Sequence, residues 1–233
     1  MLRTTANSCW QKRQLFRGWY SSKVENETSR KESSSTKDTK SSNKEQDWKR
    51  YSPLYETDLQ RRAIIDSMLR INHAGEVGAR EIYAGQLAVL RGTSIAPVIQ
   101  EMAKQEEKHF ACFENLLYER RIRPTLLMPL WKAAGFSLGA LTALVGEKAA
   151  MACTVAVEEV ISQHYNDQIR TIHENKWQDE EALKDTLREF RDDEMEHHDT
   201  GIEYDAESFP FYRALTRVIQ LGCKAAIEIT RRV

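Results

Sequence analysis

The chain has 233 residues, of which 41% are hydrophobic and 30% charged, and its formal net charge is −1. This composition suits one folded domain with a tail, and the absence of a basic excess argues against a nucleic-acid partner. The four cysteines are scattered without a CxxC pair, which is typical of reduced thiols rather than of a disulfide framework.

The N-terminal region differs in composition from the rest of the chain. Residues 1–24 are rich in Arg and Lys, include several aromatic residues, and contain no acid before Glu25. This composition predicts a mitochondrial transit peptide, with a basic disordered tail as the alternative. Residues 25–57 are rich in Ser, Lys, Glu and Thr and predict a disordered linker. The folded domain is therefore expected to span residues 58–233.

The rest of the chain has helical periodicity, and no segment alternates as a strand does. Long helices are predicted at about 58–91, 94–121, 147–174 and 179–206, and a C-terminal helix at about 209–232. An apolar segment, residues 126–146, begins at Leu126, ends at Gly146 and contains one charged residue, Lys132. The pattern predicts an all-α protein built on a four-helix bundle.

Two helices carry ionisable residues inside their apolar stripes. In the second helix, Glu106 and His109 occupy stripe positions, and in the fourth helix Glu194 and His197 do so. The stripes are Ile95, Val98, Ile99, Met102, Phe113, Leu116 and Leu117 in the second helix, and Leu183, Leu187, Phe190 and Gly201 in the fourth. Residues three apart share a helix face, so each Glu-x-x-His pair is predicted to point into the bundle.

The first and third long helices each place one Glu on the apolar face. These residues are Glu76 and Glu158, whereas Glu159 lies on a different face of its helix. One Glu from each of two helices, with a Glu-x-x-His from each of the other two, is the ligand set of ferritin-like di-iron and di-manganese proteins. Four carboxylates carry four negative charges, which two divalent cations would neutralise. The sequence therefore predicts a dinuclear metal site with iron or manganese.

Several longer strings then identify a family resemblance. They are NHAGEVGAREIYAGQ (72–86), QEEKHF (105–110), RPTLLMPLWKAAGFSLGALTALVG (123–146), MACTVAVEEVISQHYNDQIR (151–170) and FRDDEMEHHDTGIEYDAE (190–207). They resemble the demethoxyubiquinone hydroxylases, which are mitochondrial and bacterial di-iron enzymes of ubiquinone biosynthesis. The resemblance covers essentially residues 58–233. It implies a ferritin-like bundle with an additional apolar interfacial helical segment and a C-terminal helix.

The resemblance also implies a ligand assignment. Glu106 and Glu194 would bridge two irons. Glu76 with His109 would complete one iron, and Glu158 with His197 the other. The implied reaction inserts one oxygen atom from O2 into the quinone ring of a demethoxyubiquinone, with NADH as a candidate reductant. The alternatives are another ferritin-like oxidase, or a non-catalytic iron-binding or scaffold subunit of the biosynthetic complex.

Other residues near these motifs have candidate roles. In the family, a His-Tyr pair at His164 and Tyr165 is implicated in substrate or electron delivery, with a core Tyr and a satisfied His as the alternative. Asp193 can orient a ligating imidazole. Gly75 and Gly78 are expected to let a neighbouring helix or a ligand approach closely.

The apolar segment 126–146 is long enough to span a membrane, but a single crossing would separate the six ligands. An interfacial anchor is therefore expected, with Pro129, Gly135 and Gly139 bending or breaking the helix, and an oligomer contact as the alternative. The expected location is the matrix side of the mitochondrial inner membrane, as a peripheral protein. The expected partners are a polyprenyl quinone, a lipid-presenting protein, other ubiquinone biosynthesis proteins and further copies of the chain.

Overall fold

The structure is a computed structural model that describes the backbone from Lys44 and the side chains from Thr57 to the C-terminus. The predicted transit peptide and the predicted linker up to residue 43 lie outside the described residues. The described part of the chain contains helices and no strand, which confirms the all-α class. The described residues divide into two compact units between Ile65 and Asp66, and every candidate metal ligand belongs to the second unit, which runs to Val233.

Six α-helices follow one another along the described residues. They are α1 (Lys44–Leu90), α2 (Ala96–Arg120), α3 (Met128–Val145), α4 (Glu147–Glu174), α5 (Glu181–Glu203) and α6 (Tyr212–Arg232). Short 3-10 turns at Gln178–Glu180 and Ala206–Ser208 precede α5 and α6. These bounds lie within a few residues of the predicted ones, with one exception at the start of α1.

The first helix begins at Lys44, well before the predicted start near Asp58. The prediction used the lack of apolar residues, which a helix does not require. Between residues 44 and 58 the sequence contains Lys, Glu, Gln, Arg and Leu, which have high helix propensity, and no glycine, but it also contains Pro53, which disfavours a helix interior. Composition therefore did not predict this part of the helix.

The N-terminal half of α4 forms the centre of the second unit. The consecutive residues 149–157 are all buried, and most of them are Ala, Cys, Thr or Val. These small side chains let α5, α6 and α3 pack closely around this half of α4. The candidate ligand Glu158 follows directly after this run, so the backbone that carries its side chain is closely packed.

Glycines on α3 allow its backbone to approach α1 very closely. A Cβ atom at Gly139 would lie 2.7 Å from the carbonyl carbon of Ile82, and one at Gly135 would lie 2.7 Å from the carbonyl oxygen of Gly78. The helix α3 is continuous from Met128 to Val145, so Gly135 and Gly139 do not break it. These glycines instead permit backbone contact between two helices.

The predicted role of Gly75 and Gly78 is met in part. A Cβ built on either residue would meet no heavy atom within 4 Å apart from the local backbone of α1. The backbone of Gly78 is nevertheless approached by α3, because a Cβ on Gly135 would lie 2.7 Å from its carbonyl oxygen. A further close approach occurs at Gly85, where a Cβ would lie 2.7 Å from the backbone nitrogen of Ala140. Sequence position alone did not show which α1 glycines face α3.

The outer side of α3 is apolar and exposed. Its exposed apolar residues, with the adjoining Leu126, are Leu126, Leu130, Phe136, Leu141, Leu144 and Val145. By length and composition alone α3 could cross a membrane, a test that core helices also pass, but only 22% of it is buried. Helices on both sides of α3 in the chain bring candidate ligands together in one buried cluster, so a single crossing by α3 is incompatible with this fold.

Candidate metal centre

The six predicted ligands come from four helices and meet inside the second unit. Helix α1 carries Glu76, α4 carries Glu158, and α2 and α5 each carry a Glu-x-x-His pair. Every one of the six side chains is at most 2% exposed; they are Glu76, Glu106, His109, Glu158, Glu194 and His197. Burying four carboxyl groups together is costly unless cations or protons compensate their charge.

The six residues form two overlapping groups of four. One group consists of Glu76, Glu106, His109 and Glu194, and its donor atoms lie within 4.8 Å of one another. The other meets the same limit and consists of Glu106, Glu158, Glu194 and His197. Glu106 and Glu194 belong to both groups, so these two carboxylates are placed to be shared between two metal positions.

Each histidine points its Nδ1 atom at the shared carboxylates. His109 Nδ1 lies 3.1 Å from Glu194 Oε1 and 3.6 Å from Glu76 Oε2. His197 Nδ1 lies 3.2 Å from Glu194 Oε2 and 3.1 Å from Glu106 Oε1. The two Nδ1 atoms therefore face one polar interior from opposite helices.

The other ring nitrogen of each histidine faces an oxygen acceptor. His109 Nε2 lies 3.0 Å from Asp193 Oδ2, and His197 Nε2 is hydrogen-bonded to Gln105 Oε1. A carboxylate or amide oxygen can only accept, so each ring can donate its Nε2–H to this partner. Each Nδ1 also lies at hydrogen-bond distance from Glu194 and can hold a proton there when no metal is bound. Release of that proton would leave the Nδ1 lone pair for a metal ion while Nε2–H stays hydrogen-bonded, which is the usual arrangement of a ligating histidine.

Two buried tyrosines hold the carboxylates that the groups do not share. Tyr83 on α1 donates to Glu158 Oε1 on α4 over 2.7 Å, and Tyr165 on α4 donates to Glu76 Oε1 on α1. Each tyrosine follows the Glu of its own helix by seven residues and binds the Glu of the other helix. Burial and the nearby carboxylates raise the pKa of both tyrosines well above the usual value, so both are neutral donors.

Aromatic rings close the site on the side of His109. The Phe190 ring stacks on His109 with centroids 4.1 Å apart, and Phe113 packs edge-on against Phe190 at 5.4 Å. Phe113 also stacks on Tyr165. These apolar walls lower the local dielectric, which strengthens interactions between the carboxylates and a bound cation.

In the absence of metal, protons must compensate the buried charge. Burial and the charge of Glu194 raise the pKa of Glu106 to about 8, and burial raises that of Glu158 well above its usual range. Burial alone would lower the pKa of His197, but its bonds to Glu106 and Glu194 raise it to about 11. For Glu194 the signs are reversed: burial alone would raise its pKa, but its bonds to the two histidines lower it overall. The cluster therefore retains protons that two cations could replace.

Unpartnered oxygens support the fit of a metal. Glu106 Oε2 and Glu158 Oε2 have no hydrogen-bond partner, although both atoms are buried. A buried acceptor without a donor costs about 1 to 3 kcal/mol. Oxygen and imidazole donors without thiolate suit iron or manganese, so the residues present fit a dinuclear carboxylate centre.

Comparison with known proteins defines the family. Residues 63–230 match the family model described as "Ubiquinone biosynthesis protein COQ7". The chain belongs to the COQ7 family. The family resemblance inferred from the sequence motifs is thereby confirmed.

Curated relatives from animals and bacteria have consistent names. The chain is 56% identical over 171 residues to a Rattus norvegicus protein, which covers 73% of this chain and 79% of that protein. Over 172 residues it is 53% identical to a Homo sapiens protein, covering 74% and 79%. Both are named "NADPH-dependent 3-demethoxyubiquinone 3-hydroxylase, mitochondrial". A Rhodospirillum rubrum relative, 50% identical over 172 residues (73% and 79%), is named "3-demethoxyubiquinol 3-hydroxylase".

Tyr165 and His164, the candidates for substrate or electron delivery in this COQ7-family chain, lie on different sides of α4. Tyr165 reaches the site through its bond to Glu76. His164 makes no recorded contact with the six ligands, and its buried Nε2 has no hydrogen-bond partner. Burial, followed by the charge of Arg231 on α6, lowers the pKa of His164 to about 4. His164 is therefore a neutral imidazole on the α6 side of α4.

The ionisable residues beside Glu194 and His197 on α5 point in different directions, according to their position around the helix. Asp193 contacts His109 on α2, not His197 on its own helix. Glu196 is exposed and His198 is half-buried beside Asp199. On α4, Glu159 is exposed and accepts a hydrogen bond from Gln220.

Sequence reasoning assigned no role to several residues that support the site. These are Tyr83, Gln105 and a reciprocal amide pair, Asn72 and Gln168, whose two hydrogen bonds measure 2.9 and 2.6 Å. This pair joins α1 to α4 one turn away from Glu76 and Tyr165. Their spacing from the candidate ligands was a usable signal. Tyr83 and Tyr165 each follow a candidate Glu by seven residues, and Gln105 and Asp193 each directly precede a candidate Glu.

Proposed function

We propose that this chain hydroxylates the quinone ring of a demethoxyubiquinone, with O2, in ubiquinone biosynthesis. The observation that carries the proposal is the pair of four-residue groups sharing Glu106 and Glu194, in a chain of the COQ7 family. The names of the animal and bacterial relatives specify this reaction for those proteins. A mitochondrial location follows from the same names and from the composition of residues 1–24.

In the proposed site the six side chains hold two iron ions. Glu76 and His109 serve one ion, Glu158 and His197 serve the other, and Glu106 and Glu194 serve both. Bound iron supplies the activation of O2. The protein holds the imidazoles in the required tautomer through Asp193 and Gln105 and aims Glu76 and Glu158 through the two tyrosines. The ring walls of Phe113 and Phe190 exclude water.

The reaction needs two electrons, because one oxygen atom enters the ring and the other becomes water. We propose a reduced nicotinamide nucleotide as their source, NADH or the NADPH that appears in the names of the animal relatives. His164 and Tyr165 remain the candidates for delivering electrons or substrate. Tyr165 would act at Glu76, and the free Nε2 of His164 could bind a polar group of a ligand.

The exposed apolar face of α3 supports a peripheral membrane position. A polyprenyl quinone is dissolved in the bilayer, so an enzyme acting on it must reach the membrane surface. We propose that segment 126–146 lies in the interface of the inner mitochondrial membrane on the matrix side, while the metal site stays above it. A lipid-presenting protein, other biosynthetic proteins and further copies of the chain are the proposed partners.

Quinone analysis in cells whose own enzyme is deleted tests the function. The wild-type chain should restore ubiquinone. Glu194→Ala should accumulate demethoxyubiquinone, because it removes a carboxylate shared by both metal positions. Glu196→Gln, an exposed change on the same helix, should behave as wild type. Failure of the wild-type chain to clear the precursor would contradict the proposal, and full activity of Glu194→Ala would indicate a scaffold role.

A further inference from the structure

The site has an approximate two-fold symmetry that relates α1 to α4 and α2 to α5. Glu76 and Tyr83 on α1 correspond to Glu158 and Tyr165 on α4. On α2 and α5, a Glu-x-x-His pair follows a polar residue, and that polar residue binds the histidine of the opposite helix. The ligands and the tyrosine donors are therefore the same in kind at both metal positions.

Among the hydrogen-bond partners of the two histidines, the symmetry fails at one pair of positions. Behind His109 stands the carboxylate of Asp193, 3.0 Å from Nε2, and behind His197 stands the neutral amide of Gln105. The Asp193 side chain is 24% exposed, whereas His109 is buried. One imidazole thus donates its hydrogen bond to an anion and the other to an uncharged oxygen.

We infer that Asp193 and Gln105 make the two metal positions unequal, so that the position of Glu76 and His109 binds a divalent cation more tightly. This inference rests on the proposed dinuclear site. A carboxylate that accepts a histidine N–H raises the basicity of the ring, and replacement of such partners typically changes metal affinity about 10- to 100-fold. Asp193 also adds a negative charge close to one cation only. Asp193 is accordingly a positioning residue that acts through His109.

Anaerobic titration with Co(II) tests the inference in the full chain. Calorimetry gives the two stepwise dissociation constants, and proton NMR resolves the paramagnetically shifted Nε2–H signals of the two bound histidines. In the wild type, the first equivalent should give mainly one histidine signal, and the two constants should differ about tenfold or more. Selective loss of that signal in His109→Ala identifies its residue.

Isosteric substitutions then separate charge from structure. Asp193→Asn keeps an acceptor for His109 but removes the charge, so it should weaken the tighter constant about tenfold and bring the two together. Gln105→Glu adds the missing charge behind His197 and should tighten the weaker constant by a similar factor. The double variant should reverse the order in which the two signals appear.

A matched control removes a charge from the same helix without touching a histidine. Glu196→Gln should leave both constants and the order of filling unchanged, since Glu196 is exposed. Equal constants in the wild type would overturn the inference. So would variants that shift both constants together, because a general loss of structure or charge would do that.

The outcome is separable from that of the proposed function. A chain that binds Co(II) in the expected order but does not convert demethoxyubiquinone would contradict the function and leave the inequality intact. A chain that converts the quinone but binds two ions equally would contradict only the inequality.

Discussion

At the scale of single residues, the candidate centre depends on groups that hold its side chains in place. Within the part of the chain that the structure describes, no Lys or Arg forms an ion pair with the four carboxyl groups, whose cluster is held from outside by Tyr83, Tyr165, Gln105 and Asp193. Three of these four are uncharged hydrogen-bonding groups. They fix geometry without cancelling charge, which suits a cluster that could hold cations.

Replacement of Tyr83 by Phe should destabilise the metal-free protein by about 1 to 3 kcal/mol. The ring volume is retained, but Glu158 Oε1 loses its donor inside the core, and its Oε2 has no hydrogen-bond partner. Urea unfolding of the anaerobic, metal-free protein measures the change. Tyr118→Phe is the matched control, because Tyr118 is 85% exposed. Equal losses in the two variants would contradict this role of the Tyr83 hydroxyl.

At the scale of elements, the contact between α1 and α3 depends on the missing side chains of glycines. Gly139→Ala should lower the free energy of unfolding by about 1 to 3 kcal/mol, because its Cβ would overlap the Ile82 backbone. Gly222→Ala on α6 should instead stabilise by about 0.5 to 1 kcal/mol, since its Cβ would meet nothing within 4 Å. Thermal and urea unfolding of both variants checks the opposite signs.

A second prediction at this scale concerns membrane binding by the exposed apolar face of α3. Leu141→Ser with Leu144→Ser should weaken binding to phosphatidylcholine vesicles at least tenfold, since each leucine is more than 60% exposed and would bury apolar surface in the interface. Vesicle flotation measures the bound fraction. Tyr118→Ser, which removes an exposed aromatic residue from α2, should have no comparable effect. Unchanged flotation of the double variant would contradict an interfacial role for α3.

At the scale of the whole molecule, the same charges link metal binding, protonation and stability. Between pH 6.5 and 8 the folded metal-free protein retains protons that the unfolded chain releases, because the pKa values of Glu106 (about 8), His197 (about 11), Glu158 and His109 are raised. Stability must fall with increasing pH wherever the folded state binds more protons. The lowered pKa values of His164, about 4, and of His73 act in the opposite direction, but mainly below pH 6.5.

The metal-free protein should therefore unfold at lower urea concentration at pH 8 than at pH 6.5. Each fully buried group contributes up to about 1.4 kcal/mol per pH unit. Saturating Fe(II), added anaerobically, should remove this decline because the cations replace the protons. Urea unfolding at the two pH values, with and without metal, measures both effects. A metal-free protein whose stability rises over this range would contradict the retained protons.

Features that depend on residues close together in the chain could be predicted from the sequence, and contacts between helices could not. Helical periodicity is local, so the apolar stripes predicted both the helices and the inward face that carries Glu106, His109, Glu194 and His197. The same phase separated Glu158 from Glu159. The start of α1 was not predicted, since the helix begins at Lys44 in a segment whose polar composition predicted a linker.

The sequence by itself determined the fold class, the family and which side chains point into the bundle, because these depend on spacing along single helices. Only the tertiary structure decided which partner each side chain meets. Asp193 binds the histidine of α2, each tyrosine binds the glutamate of the opposite helix, and the glycines of α3 meet the α1 backbone at Gly78 and Ile82. Such pairings depend on the rotation and offset of packed helices, which the sequence of one helix does not specify.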